Sequence, residues 1–94
     1  MLVYIAGPYT RGDVAINVHN AILAADYVLA RGHVPFIPHL THFWHLVSPK
    51  PYKTWLDIDT EMLKLCDCVL RLPGESKGAD MEVAKAIDLG RLIY

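Results

Sequence analysis

Short apolar runs alternate with longer segments of helical periodicity along the whole chain. Four runs have the length and residue types of buried strands: Leu2–Ala6, His33–Ile37, Cys68–Leu72 and Arg91–Tyr94. Between them, apolar residues recur at intervals of three and four, which is typical of helices. Strands that alternate with helices in this way pair in parallel through right-handed crossovers. The pattern therefore predicts a single α/β domain over residues 1–94.

The predicted helices are bounded by residues that favour helix ends. Asp13 is a good N-cap for the first helix, and Gly32 is a good terminator. Two closely spaced prolines, Pro49 and Pro51, exclude a helix directly after Leu46. The predicted helices are a long one from Asp13 to Gly32, a short one capped by Thr41 and running through Leu46, a second long one over Thr54–Cys66, and a third over Ala79–Leu89 that ends at Gly90.

A parallel sheet of four strands favours the flavodoxin-like or Rossmann-like order 2-1-3-4, with helices on both faces in three layers. In that order the first and third strands are neighbours at the switch point of the sheet, where ligands bind. The loops that follow these strands, 7–12 and 73–78, hold four of the six glycines in the chain. The glycines either make tight turns or leave room for a ligand. We expect both loops to lie on one rim.

Two acidic residues fall on helix faces that are otherwise apolar. At about 100° per residue, Asp59 lies inside the apolar arc of its helix, and Glu82 lies between Ala86 and Leu89. An isolated buried carboxylate is costly unless it has a partner or a function. Glu82 is also predicted in the first helical turn, where the helix dipole favours an ionised side chain. We expect both acids to face the two loops, with Tyr4 as a hydrogen-bond partner; purely structural roles are the alternative.

Composition and charge narrow the classes of partner. The chain is 53% hydrophobic and 20% charged, with nine basic and ten acidic residues and a formal net charge of -1. Charges this balanced give no electrostatic footprint for a nucleic-acid polymer or an anionic membrane. No apolar run approaches the roughly 18–20 residues of a membrane span, and the first residues lack the features of a signal peptide. We expect a cytoplasmic protein in which Cys66 and Cys68 are reduced packing residues.

Several of these residues resemble one enzyme superfamily. Tyr4 and Gly7 at the end of the first strand, Asp59 eight residues before Asp67, and the segment 76–82 (SKGADME) are similar to nucleoside 2-deoxyribosyltransferases, including their deoxynucleoside 5'-monophosphate N-glycosidase branch. The runs YIAGPYT, PHLTHFW and LPGESKGADMEVAKA resemble small bacterial and phage members that are grouped as a domain of unknown function. The resemblance covers nearly the whole chain.

The resemblance implies cleavage of an N-glycosidic bond without a metal or cofactor, in a homo-oligomer with active sites at subunit interfaces. Glu82 corresponds to the nucleophile, Asp59 to the residue that assists the leaving base, and Tyr4 to the residue that orients the glutamate. The ligand would be a nucleotide or nucleoside. Together with the loop composition, the resemblance assigns substrate binding to Gly7, Pro8, Tyr9, Arg11, Ser76, Lys77 and Gly78.

Ser76 bears on the choice between nucleotide and nucleoside. It stands where the transferases usually carry an acid and the nucleotide-cleaving branch carries a serine, and a hydroxyl does not repel a 5'-phosphate. Lys77 or Arg11 could supply positive charge, and backbone N–H groups at the start of the third long helix could complete a phosphate site. The alternative for Ser76 is an ordinary turn or capping residue.

Other interpretations remain open. His39, His42 and His45 are spaced by three, so two of them could share a helix face and hold a metal, although packing or contact with a base is the commoner role. Phe43, Trp44, Tyr52 and Trp55 suggest an oligomer contact or a wall for a nucleobase. Because the chain is about one strand and one helix shorter than the characterised enzymes, a non-catalytic nucleotide-sensing module is an alternative function. A structural oligomer is another.

Overall fold

The central strand β1 (Leu2–Ala6) organises the sheet. In the computed structural model, which describes residues 1–94, β1 lies between β2 (Val34–Phe36) and β3 (Cys68–Arg71), and β4 (Leu92–Ile93) pairs with the outer edge of β3. All three pairings are parallel, and the order is β2-β1-β3-β4. The fold class and strand order predicted from the sequence are confirmed.

Four α-helices connect and cover these strands. A turn of 3-10 helix at Pro38–Leu40 leads from β2 into the short second helix. Asp13 caps the first helix, since its carboxylate accepts a hydrogen bond from the Ile16 N–H at 3.1 Å. The helices are α1 (Val14–Ala30), α2 (Thr41–Val47), α3 (Tyr52–Leu65) and α4 (Lys77–Asp88).

Alternation along β1 divides the core into two halves. Val3 and Ile5 pack with α1 on one face of the sheet. Tyr4 and Ala6 pack on the other face with Leu63 of α3 and with residues of α4. Because side chains alternate across a strand, a strand that is buried on both faces must be apolar throughout or must satisfy its polar groups internally. Tyr4 is the residue of β1 to which this requirement applies.

Two helices begin earlier than the sequence predicts. Helix α3 begins at Tyr52 instead of Thr54, directly after the extended backbone of Pro51. Helix α4 begins at Lys77 instead of Ala79, because the Ser76 hydroxyl accepts a hydrogen bond from the Ala79 N–H at 3.0 Å and so caps the helix. The predicted placement of Glu82 in the first turn is therefore wrong, since that turn contains Asp80. The predicted start at Thr54 also places Asp59 early in its helix, whereas in the structure it lies in the middle of α3.

Smaller corrections concern Thr41 and the outer faces of the helices. Thr41 does not cap α2; it lies in the helix, and its hydroxyl donates to the carbonyl oxygen of Pro38 at 2.9 Å. The strands are shorter than predicted at one or both ends, except β1. The helical spacing of apolar residues predicts one buried stripe along α1 that includes Ile22 and Leu29, but both are exposed because the small sheet covers only part of that stripe. No helix in the structure is both long enough and apolar enough to span a bilayer.

Candidate active site

A cleft of about 1090 Å³ lies beyond the carboxyl ends of β1 and β3, where the two glycine-containing loops meet. Its walls come from those loops, from the segment around the 3-10 turn, from α3 and from the first turns of α4. Of the residues predicted to act at a site, those that line the cleft are Gly7, Tyr9, Arg11, Asp59, Ser76, Lys77, Gly78 and Glu82.

Two predicted site residues do not line this cleft. Pro8 turns away and lines a separate cavity of about 240 Å³ with Asn17 and Asn20 of α1. Tyr4 is completely buried, and only its hydrogen bond to the Glu82 side chain connects it to the cleft. The loop after β1 is held by Asn17, whose amide donates to the carbonyl oxygens of Tyr9 and Arg11, both at 2.8 Å.

The hydroxyl group of Tyr4 donates a hydrogen bond to Oε2 of Glu82. Tyr4 points from β1 towards α4, with the ring of Phe36 at 5.6 Å between centroids. Burial strongly raises the pKa of Tyr4, with a further contribution from the charge of Glu82, so the phenol stays protonated and acts as a donor. The central strand therefore holds one oxygen of the Glu82 carboxylate at the inner end of the cleft.

Asp59 and Glu82 have unusual ionisation for carboxyl groups. Burial raises the pKa of Glu82 to about 7, opposed by the Tyr4 hydrogen bond and by the charge of Arg71. Burial also raises the pKa of Asp59 to about 7, and the charge of Glu82 adds to the effect. Oδ1 of Asp59 is buried without a hydrogen-bond partner. Near neutral pH the two side chains can supply one proton donor and one anionic carboxylate in the same cleft.

Polar groups from both loops surround the mouth of the cleft. Arg11 pairs with Glu75 at 2.7 Å, and both side chains are mostly exposed, so this ion pair links the loops at little energetic gain. Ser76 takes the capping role that the sequence left open as an alternative. A Cβ atom on Gly78 would lie 3.4 Å from the Tyr52 hydroxyl, so a side chain there would crowd the cleft wall.

His39 lines the cleft, and the sequence left it open whether this residue binds a metal, packs or contacts a base. It is 5% exposed, and its Nε2 lies 3.0 Å from the carbonyl oxygen of Pro8. Burial lowers the pKa of His39, so the ring is neutral, donates through Nε2 and leaves Nδ1 as an acceptor without a partner. Its position just after β2 was the available signal, because the carboxyl ends of parallel strands share one rim.

His42 and His45 both form hydrogen bonds with other side chains of the protein. Nδ1 of His42 is hydrogen-bonded to the Tyr9 hydroxyl. Nδ1 of His45 accepts from Nε1 of Trp55 at 2.9 Å, which ties α2 to α3. The structure contains no group of three His, Cys, Asp or Glu side chains that could hold a metal ion.

The strand order and the polar cleft at the switch point define a Rossmann-like α/β protein with an open cleft at the rim of the sheet. The chain belongs to the family described as "Domain of unknown function (DUF7768)", whose model matches residues 1–94. No curated protein matches it in sequence.

One similar solved structure is a 2-deoxyribosyltransferase from the psychrotolerant bacterium Bacillus psychrosaccharolyticus. The TM-score is 0.75 at 17% sequence identity, and the match covers 99% of this chain and 69% of that chain. Similarity at this level of identity shows a shared fold.

The raised pKa of Glu82 makes stability depend on pH. The folded protein binds this proton more tightly than the unfolded chain, so the free energy of unfolding falls as pH rises from the ordinary value of 4.5 to about 7. We expect Glu82→Gln to raise the free energy of unfolding at pH 8 by roughly 1–3 kcal/mol, less than the full shift implies because the cleft is open to water, and to change it little at pH 4. Urea unfolding at both values measures the effect.

Glu61→Gln is the matched control, since Glu61 is an exposed residue of α3 paired with Lys64. It should give no gain at pH 8. An equal effect of Glu82→Gln at both pH values would contradict the raised pKa.

Proposed function

We propose that the protein cleaves or transfers at the N-glycosidic bond of a nucleoside 5'-monophosphate or nucleoside, with Glu82 as the nucleophile. The observation that carries this proposal is the presence in one cleft of two carboxyl groups, Asp59 and Glu82, whose pKa values both lie at about 7. The fold that the chain shares with a 2-deoxyribosyltransferase supports a nucleoside-type substrate.

The two carboxyl groups suit the two halves of the reaction. Breaking the bond between C1' and the base nitrogen develops positive charge on the sugar, which an ionised Glu82 stabilises and then captures as a glycosyl ester. The departing base takes a proton from the carboxylic acid of Asp59, which becomes a carboxylate. Water or a second base then attacks C1' and gives its proton to the Asp59 carboxylate, so that the Glu82 carboxylate and the Asp59 acid are both regenerated. Tyr4 fixes the carboxylate throughout by donating to its other oxygen.

The rest of the cleft matches the parts of a nucleotide. Trp55 and Tyr52 supply aromatic surface for a base. Lys77, Arg11 and the backbone N–H groups at the start of α4 supply donors and positive charge for a 5'-phosphate. These groups support a nucleotide in preference to a free nucleoside.

The proposal includes a homo-oligomer with sites at subunit interfaces, as the resemblance implies. Exposed apolar side chains beside the cleft support it: Phe43, Trp44 and Val47 of α2 are 58%, 50% and 86% exposed. A surface this apolar is typical of one that a partner covers.

Base release from a panel of deoxynucleoside 5'-monophosphates and nucleosides tests the reaction. We expect Glu82→Gln to lower the rate by roughly 10³-fold or more, because the nucleophile is removed. Asp59→Asn should lower it by about 10²–10⁴-fold, and least for bases that leave without a proton. Chromatography of the free base measures both.

The controls come from the same helix, α3. Glu61→Gln and Asp57→Asn remove exposed carboxylates that pair with lysines, and they should leave the rate unchanged. Full activity in Glu82→Gln would contradict its role as the nucleophile. Tight nucleotide binding without any product would instead indicate a non-catalytic binding module.

Substitution of Ser76 distinguishes a nucleotide from a nucleoside as substrate. Aspartate and asparagine both cap helices well, so either variant keeps α4 in place. Ser76→Asp adds a negative charge beside the proposed phosphate site, and we expect it to raise KM for a 5'-monophosphate by about 10-fold or more with little change for the nucleoside. Ser76→Asn should change both little. Equal effects of Ser76→Asp on the two substrates would exclude a phosphate near this residue.

A further inference from the structure

Arg71 is the last residue of β3, and its side chain turns towards α4 instead of extending into solvent. The side chain is only 21% exposed. In the sheet it lies opposite Ala6, the last residue of β1, so it occupies the rim from which both cleft loops leave. No pattern in the sequence predicts a role for this arginine.

The guanidinium of Arg71 joins three parts of the chain. Its Nη1 donates to the carbonyl oxygen of Leu72, at the end of the strand. Its Nη2 donates at 3.0 Å to the carbonyl oxygen of Gly74 in the loop, and at 3.0 Å to Oδ1 of Asp80 in the first turn of α4. One planar group therefore fixes the strand end, the loop and the start of the helix relative to one another.

The loop that Arg71 holds has little freedom of its own. Gly74 has a φ of +110°, which side chains rarely allow, and a Cβ atom there would lie 2.9 Å from Cγ of Pro8. The loop continues into Ser76, which caps α4, and α4 carries Glu82. The position of the Glu82 carboxylate thus depends on how this loop is anchored.

We propose that Arg71 is a positioning residue for the reaction at Glu82: it anchors the loop and the first turn of α4, the helix that carries Glu82, and it places a positive charge beside that turn. This inference rests on the proposed function. It adds a residue outside the cleft lining to the groups that prepare the nucleophile.

The charges around Glu82 support the electrostatic part. Tyr4 faces it from β1, Asp59 from α3 and Arg71 from β3, while Asp80 of its own helix is paired with Arg71. Arg71 is the cation in this set. Burial raises the pKa of Glu82, and Arg71 opposes that rise. Without Arg71, more of the Glu82 population would be protonated at neutral pH and unable to attack.

Two substitutions separate charge from geometry. Arg71→Met removes both the positive charge and the planar set of N–H donors. Arg71→Lys keeps the charge but replaces the planar guanidinium with a single ammonium group. Arg31→Met is the matched control, because Arg31 stacks on Tyr27 at the end of α1, far from the cleft. The measurements are the titration of the Glu82 carboxyl carbon by NMR and the pH profile of base release.

We expect Arg71→Met to raise the pKa of Glu82 by about half a unit to one unit. The acidic limb of the pH–rate profile should move to higher pH by the same amount. Arg71→Lys should keep the limb near its original pH but lower kcat by about 10-fold, because the loop is less well fixed. Arg31→Met should change neither quantity.

An unchanged Glu82 titration in folded Arg71→Met would overturn the electrostatic part. If that variant does not fold, Arg71→Lys provides the test. An unchanged kcat would overturn the positioning part. A lowered kcat with the acidic limb of the pH–rate profile at its original pH would support it. Absence of base release from the unsubstituted protein would overturn the proposed function alone, since the NMR titration of Arg71→Met would still show whether Arg71 controls the charge of Glu82.

Discussion

A partly buried hydrogen bond between Tyr4 and Glu82 connects the two ends of the chain. Because β1 is covered on both faces, the hydroxyl of Tyr4 has no access to water and needs an acceptor from the protein. Glu82 supplies the acceptor from α4, which covers the face of the sheet opposite α1. The helix must therefore dock with its second turn over the carboxyl end of β1. The same contact that satisfies the strand places an acidic group at the inner end of the cleft.

The two carboxyl groups in the cleft lower the stability of the fold but serve the proposed reaction. Asp59 and Glu82 together place two carboxyl groups where neither is fully hydrated, which a protein selected for stability alone would avoid. The cost is limited because near neutral pH the pair can retain a proton. A shared proton is also what the proposed reaction needs, with one carboxyl group as acid and the other as nucleophile. The feature that weakens the fold at high pH is thus the feature that makes the cleft chemically useful.

The sequence predicts the parts of the fold that depend on periodicity. Strand alternation and helical spacing predict the strand order and the inward direction of Asp59 and Glu82. The starts of α3 and α4 were misplaced because they depend on Pro51 and on the Ser76 hydroxyl, whose capping geometry overrides the apolar pattern. The roles of His39 and Arg71 were missed for a different reason. The partner of His39 and two of the three partners of Arg71 are backbone carbonyl oxygens, and a backbone oxygen leaves no signature in a residue pattern.

The most direct test of the account is the titration of Asp59, followed by NMR of its carboxyl carbon, in the unsubstituted protein and in Glu82→Gln. If the two acids share one cleft, loss of the Glu82 charge should lower the pKa of Asp59 from about 7 towards, but not to, its ordinary value of 3.8, since burial remains. An Asp59 titration that is identical in both proteins would show that the two carboxyl groups do not act on each other, and would contradict the account.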